Sequence, residues 1–380
     1  MVINSRIRSS RLTMTVKVQA YRILTHWRAA LFPLLVAALL PAGAAAVDTT
    51  PLFANDWLIE ATIEAPFDDI MHERSEDIEP EGSFIYSQPD GTQKQLDIKV
   101  RIRGKFRARK DICDFAPLRL NFKKKQVDGT EFQGQDKLKL VTHCDNTGKK
   151  QDQLVLKEFL TYRFLAAMTD NSFRTRLLRI TYVDSTGRSK TRTKYAFLIE
   201  HKDHLAERID ARLAKVEAIQ FDELNHVQTN LLTVFSFFIG NTDFSAVRGP
   251  NEGFCCHNVL LLEQTPGLKL PIPYDFDFSG MVNAPYAAPN PRFRITTVQT
   301  RLYRGLCRNN ALLESTFDLF QDNRDNIYAM INTLEGLSKK SNRAMTGYVK
   351  DFYKVLDNDG KVNKKFLTKC SEATGPPSST

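Results

Sequence analysis

The sequence predicts an α+β protein of two lobes, a strand-rich N-terminal lobe followed by a mostly helical C-terminal one. Three observations carry this. Segments within residues 50–140 alternate apolar and polar residues with a period of two, the mark of half-buried strands. Residues 152–168 and 222–240 switch to helical spacing. The order is strands, one helix, two strands, then helices enclosing a short strand pair, not the βαβα alternation of a parallel sheet. The expected division is a leader over 1–46, the strand-rich lobe over 47–202, the helical lobe over 203–370 and a disordered Ser/Thr/Pro-rich tail over 371–380.

The elements follow in order. Asp56–Ile63 alternates as a strand, and acidic Asp68–Glu81 reads as a surface loop. Pro89-Asp90-Gly91 supplies a turn before Gln95–Arg103, the cleanest period-two run in the chain. Leu118–Phe122 and Leu138–Val141 follow the same rule. The helix over 152–168 places Leu156, Phe159, Leu160 and Phe164 on one face. Leu177–Val183 and Tyr195–Glu200 read as strands, and Asp203–Val216 as a short amphipathic helix. The strongest helix starts from a cap at Asp222 and stops at Gly240; it is apolar nearly all round and therefore expected to be buried. Strands at Asn258–Leu262 and Lys269–Pro273 precede helices at Ala311–Leu337 and Ser341–Leu356. Asp357-Asn358-Asp359-Gly360 is a turn and not a calcium loop, because Val355 and Phe366 would fall at liganding positions.

Charge and composition narrow the function. The 380 residues include 53 Lys+Arg and 44 Asp+Glu, a net charge of +9. Residues 1–46 hold Arg6, Arg8, Arg11, Lys17, Arg22 and Arg28 and no acid, so the remainder carries 47 − 44 = +3. A near-neutral body argues against a nucleic-acid partner. The basic stretch, the apolar run Ala29–Leu40 and the small-residue pattern Ala44-x-Ala46 resemble a signal peptide cut after about Ala46. The apolar run is too short to span a bilayer, so the expected protein is periplasmic or secreted, with no integral membrane span after cleavage. Six cysteines with no Cys-x-x-Cys spacing suit disulfides in an oxidising compartment better than zinc. Cys113 is expected to pair with Cys144. Adjacent Cys255 and Cys256 are expected to pair with distant partners such as Cys307.

The candidate chemistry lies in Gly240-Asn241-Thr242-Asp243, then His257-Asn258, then Asp275-Phe276-Asp277. An acid follows a buried helix, an Asn opens a strand and a second acid follows another strand. Phosphoryl transfer needs this kind of set: one acid to orient and deprotonate a hydroxyl, and hard oxygen ligands for the divalent cation that neutralises the phosphates.

These residues, with Pro271-Ile272-Pro273-Tyr274 before Asp275, resemble the CotH kinase-like family, atypical kinases named for a spore-coat protein. Arg103-Gly104, Leu156–Leu160 and Tyr195–Glu200 resemble its N-terminal motifs, so the likeness spans about residues 95–280. The resemblance implies a bilobal atypical protein-kinase-like fold and transfer from ATP, with Mg²⁺ or Mn²⁺, to Ser/Thr of an exported or envelope protein. It implies Asp243 as catalytic acid/base, Asn258 and Asp275 as metal ligands, Asp277 as a supporting acid and Glu200 beside the adenine. The phosphate-binding cation is open between Arg119 and Lys139, with Glu158 a possible partner of Lys139. Tyr274 stands where the family carries Trp. Phe244–Cys256 is a longer insert than the family pattern, so it must bulge out if Asp243 and Asn258 are to meet. Two other readings stand beside this one: a non-catalytic envelope or surface interaction protein, and a hydrolase using Asp243 and Asp275 as paired carboxylates.

Overall fold

The computed structural model describes residues 51–88, 90–146, 150–249 and 255–372; the expected leader and most of the expected tail lie outside them. Seven strands form the N-terminal half: β1 (Ile59–Ala65), β2 (Glu81–Ser87), β3 (Gln93–Ile102), β4 (Leu118–Phe122), β5 (Lys137–Val141), β6 (Thr175–Asp184) and β7 (Arg192–Ile199). The alternation in the sequence explains them. In β3, Leu96, Ile98, Val100 and Ile102 are buried while Lys99 faces water; in β4, Leu118, Leu120 and Phe122 are buried. Phe84 and Phe122 point inward and meet Phe132 with ring centroids 5.0 Å from it, filling the interior.

This half corrects the expected kinase-like, two-lobed fold. Its strands close into a barrel in the order β1-β2-β3-β4-β5-β7-β6, with no open edge of the kind a kinase-like N-terminal sheet would keep. The seam is the parallel pairing of β1 with β6, Ile59 opposite Leu178. β2 is an unexpected strand, and the expected surface loop before it contains helix α1 (Phe67–Glu73). Both depart from clear periodicity for physical reasons. β2 carries Gly82 and two serines, and a Cβ at Gly82 would lie 2.6 Å from the Glu64 carbonyl. α1 buries only Phe67 and Ile70.

Helix α2 (Lys150–Met168) packs on the barrel wall at β7 and β6. After β7 come α3 (Lys202–Arg208) and the two-residue strand β8 (Arg212–Leu213), so the amphipathic helix expected over Asp203–Val216 ends early. Helix α4 (His226–Ile239) has the expected burial, although Val227 is exposed. Its cap is Asn225, whose side chain accepts from the Gln228 N–H; Asp222 lies in a preceding 3₁₀ turn. Gly240 ends it as expected, in the left-handed region at φ 67°, with its N–H donating to the Phe237 carbonyl. Strands β9 (Val259–Thr265) and β10 (Leu268–Pro273) form a hairpin that completes a three-stranded sheet in the order β10-β9-β8. Helices α5 (Leu313–Asp322), α6 (Arg324–Thr333) and α7 (Lys339–Leu356) close the molecule. One apolar core joins Val141, Phe197 and Ile199 of the barrel wall to Phe235, Phe238, Ile272, Phe320 and Phe352, and so runs across position 202. That continuity is the second reason why the two-lobed description fails.

All six cysteines are paired. Cys113–Cys144 is the expected bond. Cys307 pairs with Cys370, and Cys255 pairs with Cys256, which corrects the expectation of distant partners for the adjacent pair. Among the described residues no helix is long and apolar enough to cross a membrane.

Candidate functional site

Two local pairings assemble the site. Pro273 lies opposite Val259 in the β9–β10 hairpin, and the Tyr274 N–H continues the ladder by donating to the Asn258 carbonyl at 3.0 Å. Asp275 is therefore carried to the level of His257 and Asn258 by strand register. Ser245 and His257 form an isolated antiparallel bridge, with N–H···O distances of 2.9 and 3.0 Å. That bridge brings the two ends of the long insert together, so Asp243 lies at the hairpin end; the bulge expected of the insert falls on residues 250–254, outside the described residues.

The side chains then interlock. The Asp243 backbone N–H donates to Asn241 Oδ1 at 2.9 Å. Asp243 Oδ1 lies 2.8 Å from His257 Nε2, and Asp243 Oδ2 accepts from Asn258 Nδ2 at 3.0 Å. Asn258 Nδ2 also donates to the Asp243 carbonyl at 2.8 Å. With its amide nitrogen committed, Asn258 keeps Oδ1 as the ligand-capable atom. The hydrogen bond that His257 makes to the Asp243 carboxylate holds the His257 pKa above its ordinary value, against the opposing effect of burial. Asn258 (φ 52°) and Asp275 (φ 63°) both occupy the left-handed region, which Asn and Asp adopt more readily than other non-glycine residues. The Asp275 N–H is held there by the buried Tyr162 hydroxyl, which accepts at 2.8 Å.

Asp243, His257, Asn258, Asp275, Asp277 and Phe278 line one side of a cleft of about 330 Å³. The other side is the barrel end, where β3 runs into Arg103-Gly104-Lys105-Phe106-Arg107. Gly104 sits at φ 79°, a turn that reverses the chain and brings three cations to the rim. The Nε groups of Arg103 and Arg107 are buried without a protein partner, and Arg107 Nη2 donates to the Thr142 carbonyl at 2.5 Å.

Beneath the cleft lies a buried carboxyl pair. Asp277 accepts from the Tyr286 hydroxyl at 3.0 Å. Burial, then the nearby Asp275 carboxylate, pushes its pKa up to about 7. Glu158 from α2 is pushed well above the usual carboxylate range by burial and by Asp277 and Asp275; Arg107 and Arg103 oppose this.

Of the remaining sequence-derived candidates, Lys139 lies within electrostatic reach of Arg103 and Asp275, Glu158 lies beneath the cleft, and Glu200 is held in a separate ion pair. Lys139 on β5 stacks over Tyr274, 5.1 Å from the ring centroid, and Arg119 sits opposite it on β4; Glu158 faces the Arg103 and Arg107 side and is not paired with Lys139. The Glu200 carboxylate is occupied by Arg208 at 2.9 and 3.0 Å and by the Arg174 N–H at 3.0 Å, a buried structural pair. Sequence reasoning missed the roles of Arg103, Arg107, His257, Tyr162 and Tyr286. Part of the signal was present: Arg103 and Lys105 flank Gly104 at the end of the cleanest strand, with Arg107 two residues further on.

The donor set bears on a metal. Among the described residues, the only three-residue group of His, Cys, Asp or Glu with mutual distances within 4.8 Å is Cys307, Cys370 and Glu372, and its sulfurs are disulfide-bonded. Asp243, Asp275 and Asp277 are thus no tight all-protein cage. A Mg²⁺-type site uses one or two carboxylates and leaves the remaining positions to phosphates and water. Asp275 and the Asn258 amide oxygen, opposite three cations, fit that open arrangement. No protein-family model and no curated protein matches the chain.

Proposed function

We propose that the chain transfers a phosphoryl group from a nucleoside triphosphate such as ATP to a hydroxyl, in an exported or envelope setting. The observation that carries the reading is the assembly of Asp243, Asn258 and Asp275 in one cleft facing Arg103, Lys105 and Arg107. The arginine-bearing turn would hold the phosphates. Asn258 and Asp275 would hold a Mg²⁺ or Mn²⁺, which supplies charge neutralisation at the phosphates. Asp243 takes the proton of the acceptor hydroxyl as its oxygen bonds to the γ-phosphorus and the bond to the nucleoside diphosphate breaks. His257 and Asn258 fix the Asp243 carboxylate for this, one on each oxygen. The disulfides support a protein made for an oxidising compartment.

Two variants test the reading by calorimetric nucleotide binding with Mg²⁺ and by transfer of labelled phosphate. Asp243→Asn should leave binding near wild type and lower transfer by about 10²–10⁴. Asp275→Ala should abolish both. Should neither variant alter nucleotide binding, or should both behave alike, the cleft is not a phosphoryl-transfer site and the reading as a non-catalytic interaction protein takes its place.

A further inference from the structure

A second cavity, of about 290 Å³, shares Asp243 and His257 with the cleft but is otherwise built from different residues. The Asp243–His257 pair thus borders both cavities. On one side lie Arg103, Arg107 and the candidate metal ligands. On the other lie Phe221, Leu224, Leu232, Phe244, Val247 and Phe293, together with Arg248, Arg292 and Arg304. In-line phosphoryl transfer brings the attacking hydroxyl in opposite the leaving group and next to the general base, so Asp243, which lines both cavities, stands where an acceptor from one would meet the phosphates of the other.

The chemistry of the second cavity restricts what enters it. Its charged lining is three arginines against the one carboxylate of Asp243. Arg304 is fixed in place: Nη1 donates to the Thr242 carbonyl at 3.1 Å and the Phe244 carbonyl at 2.7 Å, and the guanidinium lies between the Phe244 and Phe293 rings at 4.3 and 4.6 Å. It therefore tethers the backbone on both sides of Asp243 while presenting positive charge beside it. Arg248 and Arg292 are exposed at the mouth. The apolar floor offers a seat for one or two side chains. We infer that this cavity is the acceptor site, and that it takes a hydroxyl-bearing acidic peptide with an apolar or aromatic residue near the Ser or Thr. This rests on the proposed transfer reaction for the role of Asp243, but peptide binding is measurable without it.

The test uses two fluorescein-labelled dodecapeptides, each with one Ser and one Phe, flanked by Asp/Glu in the first and by Lys/Arg in the second. Anisotropy with the full chain should show the acidic peptide binding at least about tenfold more tightly, with affinity falling as salt rises. Arg248→Glu with Arg292→Glu should erase or reverse that preference; both side chains are exposed, so the fold is expected to persist, as circular dichroism would verify. Phe293→Ala should weaken the acidic peptide without changing the charge preference. Equal binding of the two peptides, or a preference untouched by the double charge reversal, overturns the inference. Calorimetric nucleotide binding in the same samples separates the failures: intact nucleotide binding with no peptide preference condemns the acceptor site alone, whereas peptide preference without nucleotide binding condemns the transfer reading and leaves an acidic-peptide-binding groove.

Discussion

The Cys113–Cys144 bond joins the β3–β4 connection, which carries Arg103 to Arg107, to the segment that follows β5. Both cysteines are buried, and the Phe115 N–H donates to the Cys144 carbonyl at 3.0 Å, so the cross-link and the cleft rim form one local structure. The partners are 31 residues apart. Loop-closure entropy for a ring of that size gives a stabilisation of about 3.7 kcal/mol at 25 °C. The Cys307–Cys370 bond, with a separation of 63, gives about 4.3 kcal/mol by the same relation. Replacing each pair by alanine avoids burying new hydroxyls, so urea unfolding should rank Cys307→Ala/Cys370→Ala below Cys113→Ala/Cys144→Ala by about 0.6 kcal/mol. Only the Cys113–Cys144 variant should also weaken nucleotide binding, because it frees the arginine-bearing turn. A loss below about 1 kcal/mol for either pair would refute the chain-entropy argument. Equal effects of the two pairs on nucleotide binding would refute the link to the cleft.

Three further outcomes follow from the packing. The raised pKa of Asp277 means the native state keeps a proton that the unfolded chain has released between about pH 4 and 7, so stability falls as pH rises through that window; Asp277→Asn should flatten the slope, and parallel melting curves from pH 4 to 8 would contradict the assignment. Arg208→Met strands the buried Glu200 carboxylate and should cost about 3–5 kcal/mol in denaturant unfolding; a loss of nucleotide binding in excess of that destabilisation would restore Glu200 to the site. Gly240→Ala puts a Cβ 2.0 Å from the Tyr348 hydroxyl at a left-handed φ. It should cost more than about 1 kcal/mol, with partial rescue by Tyr348→Phe if the clash, and not the backbone conformation alone, is responsible.

What the sequence revealed and concealed divides along local and non-local physics. Period-two runs located β3, β4 and β5 because one face of each meets the barrel interior and the other meets water. The burial and end of α4 were legible because apolar residues surround it and Gly240 supplies the left-handed stop. The closure was not legible: nothing local in Ile59–Ala65 says that its second edge pairs with β6. β2 was missed because its glycine and serines reflect close backbone approach and not exposure. At the site, acids and an amide in a motif order could be read as a set. The arginines that answer them are brought in by the barrel end, and Lys139, which the strand pattern suggested, lies over Tyr274 within electrostatic reach of Arg103 and Asp275. The disulfide between neighbouring cysteines ran against a rule about strain that was sound in general and did not decide this case.

The parallel seam of the barrel has a consequence for how the chain is made. β1 must wait for β6, with Ile59 and Leu178 separated by 178 − 59 = 119 residues. Closing so long a loop directly carries an entropic cost, so hairpins such as β2–β3 and β6–β7 can form first and, by tethering the chain between, shorten the loop that the seam closes last. Until then β1 and β6 each present an unpaired edge to any other chain. A protein threaded through a membrane from its N-terminus would meet this problem in order: β1 emerges first and finds its parallel partner only after more than half of the barrel has followed.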